Sequence, residues 1–198
     1  MTENVCDKCG KEISEKQYRF TKMRFGSHFC TPCQIQFNGN YDYNMMKGRM
    51  AETIVEQLFI RNGFSVFRYG MENTIPGIME LLKGVDGEVT KMIKRMPDFV
   101  VQKENEAYFI EVKYRAQGKF PSHPSDKKAL EDYPFSAGYF VVISKNDIQC
   151  LSYSELRNGL SITPDTDFCL SKCDNFGFSD KLIEEFHEYV EKFFLGVD

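Results

Sequence analysis

The chain has 198 residues, of which 42% are hydrophobic, 14% aromatic and 27% charged, with a formal net charge of −4. That length holds one good core with a small appended module, and no apolar run approaches the roughly 20 residues that span a bilayer. The N-terminus is polar and contains Cys6 and Cys9, which does not read as a secretory signal, so a soluble, intracellular (cytoplasmic) protein with no membrane association is expected. The net charge argues against strong nonspecific binding of nucleic acid by the whole surface. Residues 1–50, however, carry eight basic and five acidic side chains, and residues 151–198 carry four and ten. The N-terminal part is therefore mildly basic, and a local phosphate-binding surface is compatible with the distribution.

Four of the seven cysteines form Cys6-x2-Cys9 and, twenty residues later, Cys30-x2-Cys33. Each Cys-x-x-Cys knuckle presents two thiolates toward one point, and two knuckles complete a tetrahedral zinc site. A redox pair or disulfides fit this doubled motif less well. Gly10 suits the tight turn of the first knuckle. Between the pairs, Tyr18–Thr21 and Met23–Phe25, followed by His28-Phe29, predict a short hairpin, and Gln34–Phe37 begins a short helix. The module, residues 1–38, resembles a zinc ribbon or treble-clef finger. Its core is too small to fold without metal. His28 is read as a hairpin residue, because four cysteines already suffice. Its basic side chains, among them Lys8, Lys11, Arg19 and Lys22, suit phosphate contact and a plain solvated surface equally.

Asn38 to Asn44 is polar and turn-rich, so residues 39–46 are expected to be a linker, followed by a second domain over 47–198. A helix from about Met45 to Arg61 carries the apolar stripe Ile54, Val55, Leu58 and Phe59 and stops at Asn62-Gly63. Glu52 lies on the flank of that stripe, with Glu56 one turn on as its competitor. Phe64–Arg68 reads as a strand. Ile75–Leu82 suits a short helix and Gly84–Gly87 a turn, with Lys91, Lys94 and Arg95 preceding Pro97.

Pro97–Val101 and Phe109–Lys113 read as a β-hairpin centred on Glu104-Asn105, where Asn105 can take the left-handed conformation a tight turn needs. This register sets Asp98 opposite Glu111, Val100 opposite Phe109 and Gln102 opposite Ala107. Directly opposed residues have Cβ atoms roughly 4.5–5.5 Å apart. Lys113 shares the face of Glu111 by alternation. Phe99, Val101, Tyr108, Ile110 and Val112 make the opposite, core face. Two carboxylates this close repel one another, and a divalent cation such as Mg²⁺ or Mn²⁺ resolves the conflict. A lysine beside them can orient or help deprotonate a water, or offset charge on a phosphate oxygen. The plainer alternative is a solvated edge with an ordinary ion pair, but charges gathered at one end of a mostly apolar face point to a site.

Beyond the strand, Arg115 lies on the Glu111–Lys113 face by parity and is placed to hold a phosphate, with Gln117 and Lys119 as weaker nucleic-acid contacts. His123 is read as an exposed loop histidine. Ser125–Tyr133 predicts a helix capped by Ser125. Tyr139–Ser144 is a continuously apolar strand, expected where both faces are covered, and Ile148–Tyr153 gives another. A last helix starts near Asp180 behind Ser179. Its stripe of Leu182, Ile183, Phe186, Tyr189, Val190, Phe193 and Phe194 suits packing, with a homodimer interface as the alternative. Cys150, Cys169 and Cys173 read as reduced thiols.

Pro97-Asp98 followed by Glu111-Val112-Lys113 resembles the PD-(D/E)XK nuclease superfamily. Gly48–Glu52 with Val55 and Phe59, then Asn62–Val66, resembles the first helix and strand of its restriction-endonuclease-like fold. The likeness is nearest to the Holliday-junction-resolvase and RecB-like branches and covers about residues 47–145. It implies an α/β fold with a central mixed β-sheet flanked by helices, appended to the zinc module. It further implies Mg²⁺- or Mn²⁺-dependent hydrolysis of DNA phosphodiesters, by an endonuclease. Asp98, Glu111 and the Val112 carbonyl would ligate the catalytic metal, Lys113 would orient the attacking water, and Glu52 would assist. The rival readings are a catalytically inactive nuclease-fold module that binds nucleic acid, and a protein adaptor.

Overall fold

The computed structural model describes residues 4–70, 82, 84–85, 87–131 and 133–195. The helix expected over 75–82 therefore lies outside the described residues, apart from its last position. The chain divides into two compact units, Met1–Lys47 and Gly48–Asp198.

In the first unit the segment expected to form a hairpin is helix α1, Glu15–Phe25. Local chemistry decides this. Ser14 is the N-cap, its hydroxyl accepting the Gln17 N–H at 3.3 Å. Glu15 and Arg19 pair one turn apart at 2.5 Å, and Gly26 ends the helix at φ +70° with its N–H bonded to the Lys22 carbonyl, a left-handed stop that glycine adopts without a Cβ penalty. Helix α2, Thr31–Arg61, then runs for 31 residues from the first unit into the second. The segment 39–46, expected as a linker, lies inside it, as does the expected start at Met45. Pro32 occupies the first turn, where its missing N–H costs nothing. No proline follows within the helix, and an interior glycine such as Gly39 costs only about 1 kcal/mol.

The second unit is α/β, as expected, with a five-stranded mixed sheet. Its strands are β1 (Ser65–Arg68), β2 (Phe99–Lys103), β3 (Glu106–Tyr114), β4 (Gly138–Ile143) and β5 (Ile148–Ser152), lying in that order. Among the described residues only β3 and β4 are parallel; the other neighbours are antiparallel. The β3–β4 crossover contains α4, Pro124–Glu131, following the short α3, Glu88–Lys94, earlier in the chain. After β5 come α5 (Tyr153–Arg157), a 3-10 turn at Leu170–Lys172 and α6 (Asp180–Phe194).

The hairpin register is the expected one: Val100 faces Phe109 and Gln102 faces Ala107. The left-handed turn residue is Glu104, at φ +56°, rather than Asn105; the Gln102 amide donates to the Glu104 carbonyl across the turn and braces it. Helix α4 begins one residue before the expected cap at Ser125. Asp126 does the capping, accepting the N–H groups of Ser122 at 3.0 Å and His123 at 3.2 Å.

Each sheet face has its own core. One packs Phe99, Val101, Ile110, Val112, Val141 and Ile143 against α2 and α6. The other packs Phe140, Val142 and Leu151 against Phe120, Leu130, Tyr133 and Tyr153. Strand β4 contributes to both, which explains its unbroken apolar sequence. Helix α6 is capped by Ser179, whose hydroxyl accepts from the Leu182 N–H at 3.3 Å. It buries Ile183, Phe186, Val190 and Phe194 in the first core, with Leu182 and Tyr189 packed partly against it, while Phe193 of the same stripe is exposed. No helix among the described residues is long and apolar enough to cross a membrane.

Candidate active site and cysteine cluster

Asp98 immediately precedes β2, and the register that pairs Phe99 with Ile110 sets it opposite Glu111. Its position is fixed from two sides. Carboxylate Oδ2 accepts the Val112 N–H at 2.7 Å, and the Asp98 carbonyl accepts N–H groups of Tyr69 at 2.9 Å and Gly70 at 3.3 Å. On β3 the Lys113 ammonium bonds to the Glu111 carboxylate. The parallel register places Glu111 beside Phe140 and Lys113 beside Val142, so the charged pair stands on the second core's face. Burial pushes the Asp98 carboxyl well above the usual carboxylate range. The Glu111 charge reinforces this and Glu52 adds to it, outweighing Lys113 and the Val112 N–H. Burial works against the Lys113 ammonium, but Glu111 and Asp98 outweigh it and hold its pKa above the ordinary value. The result is one firmly charged lysine beside two carboxylates, of which Asp98 is disfavoured as an anion.

Glu52 is held on α2 near the end of β1. The guanidinium of Arg68 sits 3.9 Å from Glu52 and makes a two-pronged contact with Glu56, Nε to Oε1 being 3.0 Å. Glu56 is thus occupied by Arg68, while the charge of Glu52 is felt at Asp98. Among the described residues, Glu52, Asp98 and Glu111 do not bring their oxygens into one cluster.

Glu111 and Lys113 line a cleft of about 450 Å³ whose wall carries Lys91, Arg95 and Lys128. The end of α3 and α4 are joined by Arg95, whose guanidinium donates to the Ala129 carbonyl at 2.7 Å. The three residues expected to touch nucleic acid part company. Arg115 is committed within the protein: its guanidinium bonds Asp126 at 2.5 Å and the Tyr114 carbonyl at 3.0 Å and lies 5.5 Å from the Phe120 ring centroid. Burial raises the Asp126 carboxyl, but the Ser122 N–H, Arg115 and the His123 N–H together bring it below the usual range. Gln117 is exposed and lines a different hollow with Lys145 and Asn146. Lys119 is exposed.

In the first unit Cys6, Cys9, Cys30 and Cys33 bring their sulfurs within 4.8 Å of one another. All are free thiols, and Cys9 and Cys30 are 3.6 Å apart. A tetrahedral ion with Zn–S bonds of about 2.3 Å sets its sulfurs ~3.8 Å apart, so the set can hold a metal ion. Burial raises the Cys6 thiol, but backbone N–H groups of Cys30, Lys8 and Cys9 outweigh it and bring it down to about 6. Cys33 is pushed up to about 12 by hydrogen bonding with Cys30 and by burial. One thiolate therefore forms readily and the last resists, which a bound cation relieves. His28 is not part of the cluster. Its ring stacks on Tyr18 at 3.4 Å between centroids, and its Nδ1 is 3.1 Å from the Tyr18 carbonyl.

Three side chains around this site escaped sequence reasoning. Asp126 had a signal, standing three residues after the capping position at His123. Arg68 had only its place at the end of a strand. Tyr133 had none: it is buried in the second core, lines the cleft with Glu111 and Lys113, and its hydroxyl has no hydrogen-bond partner among the described residues.

No family model matches this chain, and no curated protein matches it. Among solved structures it is similar to Hjc, a Holliday junction resolvase from the archaeal hyperthermophile Archaeoglobus fulgidus, at 16% identity and a TM-score of 0.41, covering 67% of this chain and 99% of that one.

Proposed function

We propose that the chain is a divalent-metal-dependent nuclease of the PD-(D/E)XK type that hydrolyses DNA phosphodiester bonds as an endonuclease. The observation that carries this reading is the pairing of Asp98 with Glu111 across β2 and β3, with Lys113 bonded to Glu111 in a cleft whose wall bears Lys91, Arg95 and Lys128. The donor set fits a hard cation: two carboxylates, one of them destabilised as an anion by burial and by the other, form a site that Mg²⁺ or Mn²⁺ would complete. The superfamily resemblance adds the Val112 carbonyl as a third ligand. When bound, such a cation supplies Lewis acidity to the phosphoryl group and eases ionisation of a water. Asp98 and Glu111 hold the cation, Lys113 orients the attacking water and offsets charge growing on the phosphate, and Glu52 adds negative potential from α2. The cationic wall binds neighbouring phosphates by charge, independent of sequence. Arg115 contributes by anchoring α4 through Asp126. Residues 1–47 bind structural Zn²⁺ through their four cysteines and aid nucleic-acid or partner binding.

The test is cleavage of supercoiled, linear, single-stranded and branched DNA by the zinc-loaded full chain, with Mg²⁺, with Mn²⁺ and with neither, beside Lys113→Ala. Metal-dependent cleavage lost in the variant is expected. A Lys113→Ala protein as active as the wild type would sink the assignment. The second reading, a nucleic-acid-binding module that does not cut, is favoured by one observation: the Lys113 ammonium is paired with the Glu111 carboxylate. Calorimetry separates the two, since that module need not bind Mg²⁺.

A further inference from the structure

The Tyr133 ring, two residues past the end of α4, is buried. It packs on Phe140, centroids 5.0 Å apart, and against Tyr153 and Phe135. It rests on Gly138, where a Cβ would lie 2.7 Å from its Cε1 and 2.8 Å from its hydroxyl. Gly138 opens β4, two residues before Phe140, the β4 neighbour of Glu111. Tyr133 therefore stands on the face that carries Glu111 and Lys113 and lines their cleft, with its hydroxyl over the Gly138 end of β4. The hydroxyl is buried without a hydrogen-bond partner among the described residues. A buried donor left unmade is costly, and nearly all such groups in proteins find a partner in some state. The negative charges of Glu111 and Asp98 act on this phenol and, after burial, are what raise its pKa. It stays protonated and can only be a donor toward them.

Glu111 at present takes its hydrogen bond from Lys113. In the nuclease reading, on which this inference rests, Lys113 must turn to the attacking water, and Glu111 then loses its donor. We propose that the Tyr133 hydroxyl is the donor that holds the Glu111 carboxylate once Lys113 leaves it, making Tyr133 a positioning residue for the metal-binding carboxylate. Phenylalanine at 133 keeps the ring and its packing and removes only the donor.

The test is Tyr133→Phe in the zinc-loaded full chain, read three ways: the melting temperature without Mg²⁺ or Mn²⁺, the Mn²⁺ affinity of the second unit by calorimetry, and cleavage. The melting temperature should hold or rise, because an unpartnered buried hydroxyl is lost. Mn²⁺ affinity should fall about tenfold, the worth of one hydrogen bond to a charged group, and cleavage should fall with it. A lower melting temperature with unchanged Mn²⁺ affinity would make the hydroxyl structural and overturn the role. Unchanged values on all three readouts would overturn it equally. A wild type that binds Mn²⁺, loses affinity in the variant and cuts no DNA would instead refute the nuclease reading and leave Tyr133 as positioned. A wild type that cuts while the variant matches it would do the reverse.

Discussion

Replacing Asp98 by Asn should make the protein more stable in the absence of divalent metal, while removing its response to that metal. The carboxylate is held against its own hydration, beside Glu111 and within the field of Glu52, and its pKa is raised accordingly. The folded state therefore keeps the proton at pH values where the unfolded chain, titrating at about 3.9, has released it. More protons bound by the folded state means that stability falls as pH rises through that window. Asparagine carries no charge to destabilise, and its side-chain oxygen can still accept the Val112 N–H that Asp98 accepts at 2.7 Å. The gain should be full above the folded pKa and vanish below about pH 3.9. Relieving strain of this kind at a site commonly yields about 0.5–2 kcal/mol. At ~2–4 °C per kcal/mol for a domain of this size, that is a rise of a few degrees at pH 7. Melting would be followed in zinc-containing buffer without Mg²⁺ or Mn²⁺, since a strong chelator would strip the cysteines as well. Adding Mg²⁺ at ten times its Kd should stabilise the wild type by about 1.4 kcal/mol and leave Asp98→Asn where it was. A variant that melts below the wild type at pH 7 without divalents, or that gains as much from Mg²⁺, would refute the reasoning.

Three further outcomes follow from other contacts. Asp126→Ala strips Arg115 of its partner and α4 of its cap; removing one member of a buried pair costs about 3–5 kcal/mol, reduced to about 2–3 here because Arg115 keeps 24% side-chain exposure, as urea unfolding would measure. Gly138→Ala drives a Cβ into the Tyr133 ring, an overpacking cost of about 1–3 kcal/mol that should appear as a lower midpoint with the slope unchanged. Cys33→Ser should abolish stoichiometric zinc, measured by metal analysis, and collapse the amide spectrum of residues 4–47, because the core there is little more than Phe29 and the cysteines, with Ile13 and Phe37 beside it. The sheet signals of the second unit should persist.

The sequence made the sheet register legible because alternation and turn length act over a few residues. Asp98 had to face Glu111 if the tight turn and the apolar face of Phe99, Val101 and Ile110 were both to hold. The cysteine spacing was legible for the same reason, since a knuckle is a local object. Two other local readings went astray where competing local signals were present. Tyr18, Phe20 and Arg19 alternate like a strand, yet the Ser14 cap and the Gly26 stop favour a helix. Asn38–Asn44 looks like a linker, yet nothing there forbids a helix, and α2 continues through it. Side-chain partnerships across the crossover were not legible at all. Parity put Arg115 on the right face but could not show that Asp126, eleven residues on, would claim it. Nothing near Tyr133 signals that its ring will settle on Gly138.

The charges around the sheet end follow a single logic. Arg68 answers Glu56 and approaches Glu52, Lys113 answers Glu111, and Arg115 answers Asp126. Asp98 alone among these acids has only a backbone N–H bonded to its carboxylate among the described contacts, and it is the one whose pKa is pushed up well above its ordinary value. Its neutralising partner is therefore either a proton or an added cation, and the two compete. Divalent-metal affinity should then rise with pH until Asp98 is fully ionised and level off above that point. Asp98→Asn should remove the dependence together with the binding. Calorimetric Mn²⁺ titrations at several pH values would show it, and an affinity independent of pH across the ionisation of Asp98 would mean that the cation goes elsewhere.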